Sequence, residues 1–196
     1  MVEREDWNRR HGEAGPLFGV DPNRFLVAEV DGLAPGRALD LACGAGRNAV
    51  WLAERGWTVT GVDFSDAALE NARRLSAERG VEVEWVQADV REWTPPTAAY
   101  DLVAILYLQI PADERRVVHG RAAAAVAPAG TLLVVGDDRE NLVSGTGGPR
   151  DTGVLLDSEE VAAELDGLVI ERAERVLRPV EGERDAIDML VRARRG

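Results

Sequence analysis

The chain has 196 residues, of which 45% are hydrophobic and 30% charged, and a formal net charge of −12. This composition supports one buried core, and the acidic balance argues against a nucleic-acid partner, which requires a basic surface. No apolar run reaches the roughly 18 residues of a membrane span, and the charged N-terminus does not fit a secretory signal. The single cysteine excludes an internal disulfide and indicates a cytoplasmic location.

Hydrophobic patterning predicts strands and helices that alternate along the chain. Strands are predicted over 37–42, 57–62, 81–87, 102–108 and 131–135, and helices over 47–55, 65–80 and 111–127. Ser65 is the expected cap at the start of the second helix, and Gly80 ends it. A helix over 158–165, capped by Ser158, precedes an antiparallel pair of strands over 168–177 and 186–192. The order predicts an α/β fold with a doubly wound sheet.

A glycine loop follows the first predicted strand. Gly44 and Gly46 carry no side chain, so the backbone there can approach a ligand closely. Asp63 ends the next strand, where an acid can accept hydrogen bonds from both hydroxyls of a ribose. The pattern therefore predicts a pocket for a nucleoside cofactor at the carboxyl edge of a parallel sheet.

Glycine loops of this kind bind three classes of cofactor. A triphosphate loop needs a Gly-Lys pair, which the sequence lacks. The dinucleotide pattern is formally present as Gly44, Gly46 and Ala49. Asp40, four residues before Gly44, would repel a pyrophosphate but attract the ammonium or sulfonium of S-adenosylmethionine. S-adenosylmethionine is therefore favoured, and an NAD-dependent oxidoreductase stays open as the alternative.

Four segments in order resemble the motifs of the class I S-adenosylmethionine-dependent methyltransferases: 40–48, 62–65, 87–90 and 100–106. The Gly-Arg-Asn-Ala run at 46–49 is similar to a small bacterial branch that includes the tellurite-resistance and thiopurine S-methyltransferases. The resemblance implies a mostly parallel seven-stranded sheet with helices on both faces and an antiparallel edge strand. The length suits a single domain over 1–196, with its core over 31–196. The branch resemblance implies that residues 1–30 cover the pocket.

The cofactor site follows from the motifs and the resemblance together. Asp63 is expected to hold the ribose, Asp89 to accept the adenine amino group, and Phe64 to stack on adenine or to pack in the core. Binding of S-adenosylmethionine, and of its product S-adenosylhomocysteine, is predicted for Asp40, Ala42, Gly44, Gly46, Arg47, Asn48, Asp63, Phe64, Ser65, Asp89, Val90 and Leu106.

The sequence says less about where the methyl acceptor binds, and no catalytic residue is assigned. Tyr107, Gln109 and His11 are the candidates. Gln109 stands where related sequences often carry histidine, and an amide cannot act as a base near neutral pH. Substrate contacts are predicted for Trp7, Arg10, Tyr107 and Asp138, and the glycine-rich segment 141–153 is a candidate lid.

These features predict methyl transfer to a small molecule by direct in-line displacement. The branch resemblance favours a thiol or another chalcogen as the nucleophile. A non-catalytic protein that binds S-adenosylmethionine is a further alternative, because Gln109 and His11 depart from the family pattern. The two histidines, His11 and His119, lack the spacing of a metal site, so no metal is predicted. No membrane partner is expected, and the sequence does not indicate an oligomeric state.

Overall fold

One sheet of seven strands lies at the centre of the computed structural model, which describes residues 4–14 and 19–196, with side chains for 4–12 and 19–196. The strands are β1 (Arg37–Leu41), β2 (Thr58–Asp63), β3 (Glu84–Gln87), β4 (Tyr100–Leu106), β5 (Val126–Asp137), β6 (Val169–Arg178) and β7 (Ala186–Arg194). Their order is β3-β2-β1-β4-β5-β7-β6. The first five run parallel, and β7 runs antiparallel to both β5 and β6. The predicted sheet, with its antiparallel pair at one edge, is confirmed.

Helices cover both faces of this sheet. In the described residues they are α1 (Arg4–Ala14), α2 (Arg24–Val30), α3 (Arg47–Ala53), α4 (Asp66–Arg79), α5 (Ala112–Ala125), α6 (Asn141–Ser144) and α7 (Ser158–Ala163), with a 3-10 turn at Thr152–Val154. Leu26 of α2 and Leu52 of α3 pack in one core. Val118 of α5 and Val161 of α7 pack in the other. Burial on both faces explains the continuous apolar run of β4.

Local signals set the ends of α4 as predicted. The Ser65 hydroxyl accepts a hydrogen bond from the backbone N–H of Ala68 at 3.1 Å. Gly80 ends the helix in the left-handed region, with φ 65°. At α7 the predicted cap is wrong by one residue: the carboxylate of Asp157, not the hydroxyl of Ser158, accepts from the N–H groups of Glu159 and Glu160.

The differences from the prediction include α2 and β5. The helix α2 was not predicted, because its seven residues are too few for a clear period; Asn23 caps it. The strand β5 begins at Val126, five residues before its predicted start at 131. Val126 pairs with Tyr100 before the Pro128–Gly130 interruption. The register between β4 and β5 shifts there and then continues regularly. In the described part of the chain, no helix is long and apolar enough to cross a membrane.

The strand order reverses at β1, which lies between β2 and β4. The segments that follow β1 and β4 therefore turn to opposite faces of the sheet. A crevice opens between them at the carboxyl ends of these strands. The glycine loop after β1, Asp63 at the end of β2 and Tyr107 after β4 all lie at this edge.

Candidate active site

Three residues of the glycine loop after β1 have a left-handed backbone conformation. Ala42, Gly44 and Gly46 have φ values of 58°, 55° and 79°. A Cβ on Gly46 would lie 2.5 Å from Trp85 and 2.8 Å from Ala72, so glycine there lets the loop pack on β3 and α4. A Cβ on Gly44 would meet nothing nearer than His11 Cε1, at 3.8 Å. Gly44 is thus the loop residue that leaves room for a ligand.

Asp63 fixes this loop to the end of β2. Its Oδ2 accepts a hydrogen bond from the Gly44 N–H at 2.8 Å, and its Oδ1 accepts from the Ser65 N–H at 2.9 Å. Burial raises the pKa of Asp63, and these two N–H groups oppose the rise. Each carboxylate oxygen keeps a second lone pair. The geometry therefore fits an acid that holds the loop and still accepts from the hydroxyls of a ribose.

Asp40 is a buried acid beneath the loop, with 1% of its surface exposed. Burial, followed by the charge of Asp63, raises the pKa of Asp40 to about 7, while Arg47 and the Ala49 N–H act in the opposite direction. Its Oδ2 has no hydrogen-bond partner among the described residues. An ammonium or sulfonium in the crevice would stabilise this carboxylate, whereas a pyrophosphate would add a further repulsion. These two acids therefore fit S-adenosylmethionine better than NAD.

Asp89 is held as an anion near the carboxyl end of β3. Arg91 donates from Nε to both of its carboxylate oxygens, at 2.9 and 3.0 Å, and lowers the pKa of Asp89. The other end of Arg91 donates to Glu114 at 3.3 Å. Val90 beside it is buried, and Phe64 is half-buried. An oriented carboxylate next to apolar side chains is suited to an adenine ring with its amino group.

The helix α1 lies against α4 and over the glycine loop. Asn8 accepts a hydrogen bond from the Ser65 hydroxyl at 2.7 Å, and Asn71 donates to the carbonyl of His11 at 3.1 Å. The His11 ring is buried, and it stacks on Trp7 with 5.9 Å between ring centroids. Burial lowers the pKa of His11. Arg10 lies on the outside, with its guanidinium 5.1 Å from the Trp7 ring. A pocket-covering role for residues 1–30 stays a prediction.

A polar cluster surrounds Tyr107 at the carboxyl end of β4. The Tyr107 hydroxyl donates a hydrogen bond to Asp188 at 2.7 Å, and Arg178 donates from Nε to the same carboxylate at 2.8 Å. Tyr107 adopts φ 59°, which is unfavourable for a bulky side chain. Burial, then the Asp188 charge, raises the pKa of Tyr107. The phenol is therefore a hydrogen-bond donor, not a base, near neutral pH.

Gln109 and Asp137 extend this cluster. The Gln109 amide donates to Asp137 Oδ2 at 3.3 Å, and Arg178 lies 4.0 Å from Oδ1 of the same residue. Burial, then the charge of Asp188, raises the pKa of Asp137. The cluster thus joins residues from the ends of β4, β5 and β6 and the start of β7. The ionisable groups of Tyr107 and Arg178 are also coupled electrostatically to Arg47, which begins α3 after the glycine loop.

Three predicted residues have partners away from the crevice. Asn48 is buried and accepts a hydrogen bond from the Asn23 N–H at 2.8 Å, so it fixes the chain before α2. Arg47 donates to the Asp21 carbonyl at 3.3 Å. Asp138 is buried and pairs with Arg175 at 3.0 Å. Leu106 is buried at the end of β4. Cofactor and substrate contacts of these residues remain predictions.

Arg178 and Asp188 are functional-site residues that were not predicted from the sequence. Asp188 does carry a signal, because it is the only acid in the apolar segment 186–191. The sequence gives no signal for Arg178, because it is one of several arginines in β6 and nothing in the sequence sets it apart. Asn141, in the segment proposed as a lid, is also buried: it accepts from the Ile187 N–H at 2.7 Å and donates to the carbonyls of Thr146 and Gly147. Within residues 4–14 and 19–196, no cluster of three metal-ligating side chains occurs.

Part of the chain is similar to known methyltransferases. Residues 38–130 match the family described as "Methyltransferase domain". The ubiquinone biosynthesis O-methyltransferase of Salmonella arizonae is 37% identical over 131 residues, which is 65% of this chain and 54% of that protein. The chain thus spans about half the length of the curated relatives it matches.

Solved structures show the same fold. The N-methyltransferase NodS from Bradyrhizobium japonicum WM9, in complex with S-adenosylhomocysteine, superposes with a TM-score of 0.76 over 99% of both chains, at 19% identity. TehB from Haemophilus influenzae gives a TM-score of 0.73 over 98% of this chain and 67% of its own, at 13% identity.

These findings place the site in a region similar to known methyltransferases. The match over 38–130 and the named relative agree with the predicted class I S-adenosylmethionine-dependent methyltransferase and its cofactor. The narrower resemblance to the tellurite-resistance and thiopurine branch is not confirmed. The NAD-dependent alternative is not favoured.

Proposed function

We propose that this chain transfers the methyl group of S-adenosylmethionine to a small-molecule acceptor. The observation that carries the proposal is the pair of acids below the glycine loop. Asp40 presents a buried carboxylate oxygen that has no hydrogen-bond partner among the described residues, and Asp63 ties the Gly44 N–H to the end of β2. In this proposal Asp40 faces the ammonium of the cofactor, Asp63 the ribose and Asp89 the adenine amino group.

The bound cofactor supplies an electrophilic methyl group on a sulfonium, which is a good leaving group. The residues of this chain therefore need only align the acceptor, limit its motion and exclude water. His11 is buried above Gly44 and serves the exclusion of water. Tyr107 and Gln109, at the end of β4, define the direction from which an acceptor approaches.

A thiol or another chalcogen is the proposed acceptor. Near the end of β4, Tyr107 is held protonated by burial and by Asp188, and Gln109 cannot take a proton. A thiol ionises close to neutral pH and does not require a strong base. The cluster therefore suits a nucleophile that brings its own negative charge.

A hydroxyl acceptor is the second candidate, and one specific observation favours it. Asp137 lies in the cluster with a pKa raised by burial, a property of carboxylates that act as general bases. The ubiquinone biosynthesis relative is named as an O-methyltransferase, which agrees with an oxygen nucleophile. In this case Asp137 would accept the proton of the hydroxyl.

The first experiment is calorimetric titration with S-adenosylhomocysteine and with NAD. Saturable binding of S-adenosylhomocysteine alone supports the proposed cofactor, and binding of NAD alone overturns it. The second experiment supplies S-adenosylmethionine with thiophenol, phenol and aniline, which share one ring and differ in the acceptor atom. Methylation of thiophenol supports the chalcogen proposal, and methylation confined to phenol or aniline rejects it.

Asp137→Asn separates the two acceptor classes. Transfer to a thiol is expected to stay within about threefold of the wild-type rate, whereas base-assisted transfer to a hydroxyl should fall by about a hundredfold or more. Binding of S-adenosylhomocysteine without transfer to any acceptor of the panel would support a non-catalytic binding protein and contradict the proposed activity.

A further inference from the structure

The outer edge of β6 is long and exposed. In the part of the chain that the structure describes, β6 ends the sheet order and pairs with β7 alone. Val169 and Leu177 are 64% and 59% exposed, and Ile170 is also exposed. An edge of this kind presents free backbone N–H and C=O groups to any extended chain. The same strand thus offers both hydrogen-bonding groups and apolar side chains.

The sequence of β6 is complementary to itself when it is read in reverse. Residues 169–177 are Val-Ile-Glu-Arg-Ala-Glu-Arg-Val-Leu, with two apolar residues at each end and Ala173 in the middle. In an antiparallel pair centred on Ala173, Arg172 of each copy lies opposite Glu174 of the other. Opposite charges at such positions stabilise paired strands. The apolar residues at the start of one strand come beside those at the end of the other.

The charges also select this register. A pair centred on Arg172 or on Glu174 would place two like charges directly opposite each other, which is destabilising. The ladder between β6 and β7 is regular from Arg172 to Arg178, so the central positions lie next to an undistorted strand. A register shift occurs between Ile170 and Arg172, at the end of that segment. Centring on Ala173 therefore satisfies both the charges and the local geometry.

We infer that β6 is a self-association surface, through which two copies of this chain join their sheets in a two-fold, antiparallel edge-to-edge pair. The contact is isologous, since each residue of one copy meets the complementary residue of the other. Within each copy Arg172 already pairs with Glu29 and Glu174, so its guanidinium is oriented before association. A single pair of strands buries a small area, so the dissociation constant is expected in the micromolar range, about 1–100 μM.

Sedimentation velocity over about 1–500 μM protein tests the association. The wild-type chain is expected to shift from one to two copies across this range. Glu174→Arg places arginines opposite each other twice and should keep the chain monomeric throughout. Glu181→Arg is the matched control, because it makes the same charge change at an exposed residue after β6 and should dimerise as the wild type does. A wild-type chain that stays monomeric overturns the proposal and leaves this edge for a partner of different sequence.

A cysteine placed on the two-fold axis tests the register. Ala173→Cys puts two thiols directly opposite each other, with Cβ atoms about 4.5–5.5 Å apart. Mild oxidation should therefore give a disulfide-linked dimer in high yield. Leu177→Cys is the control, because it is similarly exposed but lies far from its own copy in this register. The native Cys43 is buried and does not compete. Equal cross-linking of the two variants, or a dimer that Glu174→Arg leaves unchanged, contradicts the β6 interface.

Discussion

The Tyr107 hydroxyl donates a hydrogen bond to Asp188 at 2.7 Å, across 81 residues of chain. This contact joins the end of β4 to the start of β7, at the edge of the sheet that holds the glycine loop. It also accompanies a left-handed backbone at Tyr107, with φ 59°. Strained backbone of this kind persists where the surroundings hold it, and it is frequent at functional sites. The antiparallel pair of strands thus supports the residues that follow β4.

Removal of this hydroxyl by Tyr107→Phe should therefore weaken both the fold and the reaction. Hydrogen bonds to charged groups contribute about 1.5–3 kcal/mol, and we expect a loss of this size in the free energy of unfolding. The rate of methyl transfer should fall by about ten- to a hundredfold through misplacement of Gln109. Urea unfolding and the rate with the best acceptor measure the two effects. Tyr100→Phe, at the other end of β4, is the control, and an equal rate loss there would contradict a role specific to Tyr107.

Asp63→Ala should remove most of the affinity for S-adenosylhomocysteine while the fold persists. The change deletes the proposed ribose acceptor and frees the Gly44 N–H, so a loss of about ten- to a hundredfold is expected. Calorimetry measures it, with circular dichroism to verify folding. Asp101→Ala also deletes a carboxylate that accepts a backbone N–H, from Arg37 at 2.7 Å, but at the opposite edge of the sheet. Unchanged affinity of Asp63→Ala would remove Asp63 from the cofactor site.

Cofactor affinity should rise with pH through the titration of Asp40. Its pKa in the folded chain is about 7, and an ammonium beside it favours the ionised form. Affinity for S-adenosylhomocysteine is therefore expected to increase between about pH 6 and pH 8 and to level off above, with proton release on binding. Asp40→Asn should flatten this profile. A profile that the substitution does not change would place the ammonium elsewhere.

The same group makes a contribution of opposite sign to the stability of the free chain. The pKa of Asp40 is raised in the folded state from its usual 3.8 to about 7. The folded state then binds more protons than the unfolded state between these values, so this contribution falls as pH rises from about 4 to about 7. The difference in unfolding free energy between wild type and Asp40→Asn, followed over this range, isolates it. A difference that does not vary with pH would contradict the raised pKa.

Glu164 should be a major determinant of stability outside the site. It accepts from the buried Arg115 at 2.7 Å and lies 2.7 Å from His119 Nδ1, which together join α5 to the end of α7. Loss of one partner of a buried ion pair costs about 3–5 kcal/mol, and we expect this from Glu164→Gln in urea unfolding. Glu54→Gln, at a surface pair with Arg79 outside this network, should cost less than about 1 kcal/mol. Similar losses from both would show that the buried network contributes no more to the free energy of unfolding than a surface ion pair.

This contribution should also be lost in acid. Although burial opposes ionisation, the hydrogen bonds from His119 and Arg115 lower the pKa of Glu164 to about 2. Because the folded pKa lies below the usual 4.5, the stabilisation is complete above that pH and declines as pH falls towards 2. The difference between wild type and Glu164→Gln should shrink over the same interval.

The sequence alone determined the features that depend on short stretches of chain. The glycine loop, Asp63 at the end of the following strand and the Ser65 cap lie within 22 residues, and their chemistry is local. The four ordered motifs predicted the class of the domain for the same reason, and the match over 38–130 agrees with that prediction. Alternation of apolar strands and helices determined the sheet, because burial on both faces requires continuous apolar runs such as β4.

The surroundings of Tyr107 could not be predicted from the sequence, because they depend on the order of the strands in the sheet. Asp188 and Arg178 meet Tyr107 because β7 inserts between β5 and β6, and no sequence spacing encodes this neighbourhood. Packing likewise decided the partner of Asn48, which accepts from the Asn23 N–H before an unpredicted helix. Long-range contacts of this kind depend on the order of strands in the sheet, and that order follows from the burial of the whole core.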